Sequence, residues 1–113
     1  IPLNENTQYY CDSDFFSKMK KSAIFINTGR GGLVDQTDLI SALKNQAIAG
    51  AGIDVMEPEP LPANHPLLEL ENCTITPHIG SATLETRLAM SNLVVDSIIA
   101  ALEGSAPPNL VNP

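Results

Sequence analysis

In the stretch Thr74-Ile75-Thr76-Pro77-His78-Ile79-Gly80-Ser81-Ala82-Thr83, the titratable imidazole of His78 lies where an apolar run stops and a long amphipathic segment begins. The first three residues of the stretch predict a short strand, and Pro77 ends the strand's hydrogen-bond ladder because proline has no N–H. Gly80 lets the backbone come close to whatever His78 faces. Since ligands of α/β proteins bind outside the carboxyl ends of strands, this strand end predicts the position of a functional site.

The chain before and after this stretch alternates predicted strands with predicted helices. Residues 23–26 form a continuous apolar run, typical of a parallel strand covered on both faces, and residues 48–55 predict a second buried strand. Asp35 caps a helix between these two strands, and a longer helix follows the quoted stretch and ends at Gly104. This order predicts an α/β fold with a parallel sheet and flanking helices.

Composition and charge narrow the range of functions. The 113 residues carry 6 basic and 13 acidic side chains, a net charge of −7, which argues against nucleic acid or an anionic membrane as partner. No apolar run approaches the ~20 residues of a membrane span. Cys11 and Cys73 lie far apart without a C-x-x-C pattern, so we expect no metal site and no redox motif. These features predict one domain at most, in the cytoplasm or an organelle matrix.

Four ionisable side chains lie at or just beyond predicted strand ends: Arg30, Asp54, Glu59 and His78. The carboxyl ends of parallel strands share one edge of a sheet, so we expect these groups to converge there. Each also has a simpler interpretation on its own. Arg30 could be a surface cation, Asp54 a turn cap, Glu59 a solvated acid and His78 a structural histidine.

Together the four groups suit acid catalysis on a 2-oxo acid. A guanidinium such as that of Arg30 binds a carboxylate through two hydrogen bonds and polarises an adjacent carbonyl. An imidazole such as that of His78 donates a proton near neutral pH. A neighbouring carboxylate such as Glu59 would favour the imidazolium and hold the ring in place.

Three motifs carry a resemblance to a known family: residues 26–35 (INTGRGGLVD), residues 50–55 (GAGIDV) with Glu59-Pro60, and residues 77–80 (PHIG). In this order and spacing they resemble the D-isomer-specific 2-hydroxyacid dehydrogenases, and the resemblance covers essentially the whole chain. Within the family, residues 59–68 and 77–83 are most similar to the glyoxylate/hydroxypyruvate reductases.

The resemblance implies the second half of a Rossmann-like dinucleotide-binding domain over residues 1–103, followed by an extended tail over residues 104–113. Two segments begin the pattern G-x-G-x-x-G, but Val34 and Val55 occupy its last glycine position, so the phosphate-binding loop is missing. By the same resemblance, we expect the substrate domain to lie outside these 113 residues. We therefore expect a fragment of a longer protein that is inactive alone. Gly29 stands where relatives usually carry Ala or Ser, which predicts a looser loop.

The resemblance also implies roles for single residues. Arg30 would bind the substrate carboxylate and activate its carbonyl, His78 would be the acid in reduction and the base in oxidation, and Glu59 would pair with His78. The side chains expected to contact substrate are Arg30, His78 and Ser81. The positions expected to line the NADPH or NADH site are Pro2, Thr28, Asp54 and Gly80.

The implied reaction is hydride transfer from NAD(P)H to a small 2-oxo acid, reducing glyoxylate to glycolate or hydroxypyruvate to D-glycerate. A homodimer is the expected assembly. The residues leave open the choice between NADH and NADPH, because the resemblance places the position that reads the ribose 2′ group before Ile1. An alternative is a corepressor that uses a dehydrogenase-like fold as a binding scaffold without catalysis, and a third is a truncated piece without a role of its own.

Overall fold

A three-stranded parallel sheet is the centre of the computed structural model, which describes residues 1–111. The strands are β1 (Ile24–Asn27), β2 (Gly50–Ile53) and β3 (Cys73–Ile75), in the spatial order β1-β2-β3. Both pairings are parallel, with Ile24 opposite Gly50 and Ala51 opposite Cys73. The predicted parallel α/β sheet is confirmed, and the carboxyl ends of all three strands lie along one edge.

The described residues form three α-helices: α1 (Ser13–Ser17), α2 (Gln36–Lys44) and α3 (Leu84–Leu102). Each begins at a side chain that accepts hydrogen bonds from the otherwise unpaired N–H groups of the first turn. The capping residues are Asp12, Asp35 and Thr83. Short 3₁₀ turns occupy Gly31–Leu33 and Pro66–Glu69.

The core lies between β1, β2 and the helices α1 and α2. Its largest fully buried side chains are Phe16, Leu39, Leu43, Ile48 and Leu67. The rings of Phe16 and Phe25 meet edge to face, with centroids 5.2 Å apart. Full burial of one such side chain stabilises a fold by about 1.5–3 kcal/mol, so this cluster anchors α1 and α2 on the sheet.

One prediction for β1 is wrong. Its apolar run predicted cover on both faces, but Ile24 and Ile26 are 65% and 63% exposed while Phe25 and Asn27 are buried. The strand therefore buries one face only. A hydrophobic run indicates which side chains favour burial. Whether a given face of the strand is buried depends on a second element that packs against that face.

Between β2 and β3, residues 55–65 form neither helix nor strand, as the prolines at positions 58, 60 and 62 predict. The Glu57–Pro58 and Glu59–Pro60 peptide bonds are cis. Within residues 1–111, no helix is long and apolar enough to cross a membrane.

Contacts divide the chain into two units, Ile1–Ile79 and a second that begins at Gly80. The second unit contains α3, none of whose residues is buried. The helix ends as predicted near Gly104, which has a φ of +74°. Gly104 N–H donates to Ala101 and Ser105 N–H to Ala100, the Schellman pattern for which a left-handed glycine is suited. The predicted boundary after residue 103 stays a prediction, and residues 112 and 113 of the predicted tail lie outside the described residues.

Candidate active site

Asp54 joins the carboxyl ends of the three strands. It follows β2 directly, is only 7% exposed, and its backbone N–H donates to the carbonyl of Asn27 at the end of β1 (2.9 Å). Its Oδ1 accepts from the hydroxyl of Thr76 (2.5 Å) and from the N–H of Ile79 (2.9 Å). A buried carboxylate must be hydrogen-bonded to be tolerated, and these bonds tie the chain around His78 to β2.

Glu59 and His78 form the closest pair of ionisable groups at this edge. Glu59 Oε1 lies 2.5 Å from Nδ1 of His78, and Glu59 Oε2 accepts from the N–H of Met56 at 3.1 Å. The hydrogen bond to His78, followed by that from Met56, lowers the pKa of the Glu59 carboxyl below its ordinary value. The two side chains are 48% (His78) and 36% (Glu59) exposed, so a ligand can reach them.

The backbone of His78 is held in a conformation that few side chains adopt. Its φ is +54°, and its N–H donates to the carbonyl of Thr76 at 3.0 Å. Histidine is among the residues enriched in the left-handed region, yet each such position still costs on the order of 1–3 kcal/mol. The tight turn after Pro77 brings the imidazole back over the edge of the sheet, where Glu59 meets it.

The loop that carries Arg30 is held by the buried amide of Asn27. Asn27 Oδ1 accepts from the N–H of Gly29 (3.0 Å), and its Nδ2 donates to the carbonyl of Arg30 (3.0 Å). The exposed Arg30 guanidinium donates to the carbonyl of Gly29 (2.7 Å). Next to it, Gly31 packs against Met56 so closely that a Cβ would overlap that residue's backbone. The Arg30 loop and the Glu59 loop are therefore in direct contact.

A cleft of about 610 Å³ opens beside Arg30. It is lined by Thr28 and Gly29 from the loop after β1 and by the first residues of the chain, including Pro2. This volume lies within the range of small-molecule sites, ~300–1,000 Å³. The lining combines a hydroxyl, a guanidinium and an apolar ring, a mixture that suits a polar organic ligand.

The predicted site residues thus form two groups within the first unit. One group surrounds the cleft: Pro2, Thr28 and Arg30. The other is hydrogen-bonded at the sheet edge: Asp54, Glu59 and His78, linked through Ile79 and Met56. Gly80 and Ser81 are exposed and belong to the second unit. Among residues 1–111, no three His, Cys, Asp or Glu side chains are arranged to hold a metal ion.

Sequence reasoning missed three polar residues that hold these groups: Asn27, Gln36 and Thr76. Asn27 fixes the Arg30 loop, Thr76 binds Asp54, and Gln36 contacts the backbone of Glu57. A polar residue at the end of an apolar strand is a usable signal for Asn27 and Thr76. Nothing in the local pattern around Gln36 indicates a partner 21 positions away.

Comparison with known proteins identifies the family of this chain. Residues 1–80 match the family model described as D-isomer specific 2-hydroxyacid dehydrogenase, NAD binding domain. A glyoxylate reductase/hydroxypyruvate reductase of Mus musculus is 54% identical over 107 residues, which are 95% of this chain and 33% of that protein. The chain thus spans about a third of the length of this curated relative.

Solved structures have the same fold. A protein from Thermus thermophilus has a TM-score of 0.95 at 46% identity, over 99% of this chain and 36% of that one. An NADPH-dependent glyoxylate/hydroxypyruvate reductase from Sinorhizobium meliloti, solved with NADP and malonate, has a TM-score of 0.82 at 42% identity, over 88% of this chain and 31% of that one. The chain therefore belongs to the D-isomer specific 2-hydroxyacid dehydrogenase family and corresponds to part of its NAD binding domain.

Proposed function

We propose that this chain is the cofactor-side, acid-bearing part of an NAD(P)H-dependent reductase of small 2-oxo acids, with glyoxylate and hydroxypyruvate as its substrates. The observation that carries the proposal is the Glu59–His78 pair, 2.5 Å apart at the carboxyl edge of a parallel sheet. The names of the relatives from Mus musculus and Sinorhizobium meliloti support the choice of substrates.

His78 acts as the general acid in reduction. Because Glu59 engages Nδ1, Nε2 is the ring nitrogen that gives a proton to the carbonyl oxygen of the substrate. The carboxylate of Glu59 binds Nδ1 and holds the ring plane throughout the transfer. In the oxidation direction, neutral His78 takes the proton back from the hydroxyl group.

Arg30 binds the substrate carboxylate. Its guanidinium is exposed, and it lies on a loop that buried Asn27 holds at both Gly29 and Arg30. A planar guanidinium can contact the carboxylate through two N–H groups while its charge polarises the adjacent carbonyl. We assign Ser81 to the substrate side as well, where its hydroxyl can donate or accept a hydrogen bond.

Pro2, Thr28, Asp54 and Gly80 are the residues that we assign to the NADPH or NADH site. The cleft beside Arg30 offers polar and apolar lining to such a ligand. Bound NAD(P)H supplies the hydride, whereas this chain supplies alignment, charge and the proton. The relative crystallised with NADP supports NADPH as the first cofactor to try.

The test uses the polypeptide that includes these residues, at the length that its gene encodes. We expect NAD(P)H oxidation by glyoxylate and hydroxypyruvate to fall ~10²–10⁴-fold in His78→Gln, the usual contribution of a general acid. His65→Gln is the matched control, because His65 is the other histidine of the chain and its side chain caps a 3₁₀ turn. A His78→Gln enzyme that keeps the rate of the control would overturn the proposal.

We further propose that the 113-residue chain alone has no reductase activity, since catalysis depends on positioning groups that the resemblance assigns to segments outside these residues. A homodimer is also proposed on the resemblance, and a cytoplasmic location on the composition and sequence features described above. Sedimentation of the purified protein tests the first, and imaging of a tagged copy tests the second. Turnover by the 113-residue chain at the rate of an ordinary enzyme would contradict the expectation of inactivity.

A further inference from the structure

The side chain of Gln36 pairs with the backbone of Glu57 in both directions. Nε2 of Gln36 donates to the carbonyl of Glu57, and Oε1 of Gln36 accepts from the N–H of the same residue at 3.3 Å. A primary amide presents its N–H and C=O side by side, as a peptide group does, so it can replace a neighbouring strand for one residue. These two bonds join α2 to the loop after β2, 21 positions further along the chain.

That loop carries Glu59. Met56 N–H donates to Glu59 Oε2, so the carboxylate folds back onto the start of its own turn while its other oxygen contacts His78. Gln36 therefore binds the middle of the turn that aims Glu59. On the other side, Gly31 packs against the backbone of Met56. The turn is thus held between the Arg30 loop and the first residue of α2.

The helix itself does not need this side chain. Asp35 caps α2 by accepting from the N–H groups of Thr37 and Asp38 at 2.9 and 3.2 Å. Gln36 is the first helical residue and is half-buried. Its two bonds to Glu57 are consequently the contacts that its replacement would remove.

We propose that Gln36 is a positioning residue that holds Glu59 against His78 through the backbone of Glu57. This inference rests on the proposed function, since it concerns how the acid of that reaction is oriented. Without the amide, the turn loses both bonds to α2, and Glu59 is no longer directed at the imidazole. The effect on turnover passes through Glu59, because Gln36 itself contacts neither substrate nor cofactor.

The first test follows the Glu59 carboxyl in the 113-residue chain by ¹³C NMR between pH 2 and 7, with Glu59→Gln used for assignment. His78 and Asp54 are the charged groups that influence this carboxyl, and both remain in every other variant. In Gln36→Ala we expect the pKa of Glu59 to rise toward its ordinary value. Gln8→Ala, which changes an exposed glutamine in an N-terminal turn, should leave it unchanged.

The second test measures turnover in the full gene product. We expect kcat to fall roughly tenfold or more in Gln36→Ala, with little change in the KM for NAD(P)H, because a displaced acid impairs the chemical step. Failure of the proposed function would appear as no dependence of turnover on His78, whereas failure of this inference would appear as an unchanged Glu59 titration. Gln36→Leu keeps most of the side-chain volume, so it is the variant to measure if Gln36→Ala fails to fold. Unfolding of both Gln36 variants, or an unchanged titration in a folded variant, overturns the inference.

Discussion

Replacement of Gly31 by alanine should separate the two loops that carry Arg30 and Glu59. A Cβ at this position would lie 2.1 Å from both the carbonyl carbon and the carbonyl oxygen of Met56. Ordinary van der Waals contact begins at 3.4 Å, so the gap to be opened is 3.4 − 2.1, or 1.3 Å. The opposing atoms belong to the backbone, and no side-chain rotation can relieve the overlap.

This displacement translates into a loss of stability of about 2 kcal/mol. Overpacking of a well-packed region typically costs ~1–3 kcal/mol, and a clash with backbone belongs at the upper end. Removing a glycine also restricts the unfolded chain, which stabilises the folded state by about 0.4–1 kcal/mol. A net loss of about 2 kcal/mol lowers the midpoint of thermal unfolding by roughly 10 °C in a domain of this size.

The assay is urea unfolding followed by far-UV circular dichroism, with Gly29→Ala as the matched control. At Gly29 the added Cβ would lie 3.1 Å from the terminal Cδ1 of Leu33, a side-chain end that can move aside, and 3.5 Å from Oδ1 of Asn27, which is ordinary van der Waals contact. We expect Gly29→Ala to stay within about 0.5 kcal/mol of the parent chain. Equal unfolding midpoints for the two variants would refute the reasoning that backbone contact couples these loops.

Three further predictions concern single side chains. Folding lowers the pKa of Glu59, so the stability that its carboxylate adds is present above the ordinary value of 4.5 and lost as pH falls through the folded pKa. The urea midpoints of the parent chain and of Glu59→Gln should therefore converge in acid. A gap between the two midpoints that stays constant with pH would contradict this. Asp54→Ala should cost about 1–3 kcal/mol by leaving Thr76 and Ile79 without their acceptor, and Asp54→Asn less, as denaturation curves will show. Thr83→Ala should cost α3 about 1 kcal/mol, seen as lower helical ellipticity, and unchanged ellipticity would argue against the cap.

Local patterns were sufficient to predict the elements and the pair at their edge. Apolar runs bounded by polar or glycine residues mark β1 and β2, and an acidic residue at the start of an amphipathic segment marks α2 at Asp35. Strand ends in a parallel sheet share an edge, which is why Glu59 and His78 could be expected together although 19 positions separate them. Their roles as acid and orienting carboxylate follow from the chemistry of the two side chains together with the family resemblance, and stay a prediction.

Contacts between distant segments were decided only by the tertiary structure. The exposure of Ile24 and Ile26 depends on which elements pack on β1, and an apolar run cannot report this. The bonds of Gln36 to Glu57 and the close approach of Gly31 to Met56 join segments more than 20 positions apart. Sequence periodicity reflects the repeat of a single helix or strand. These contacts depend instead on how the loops of different elements pack, because a hydrogen bond or a missing Cβ acts only where two segments of backbone meet.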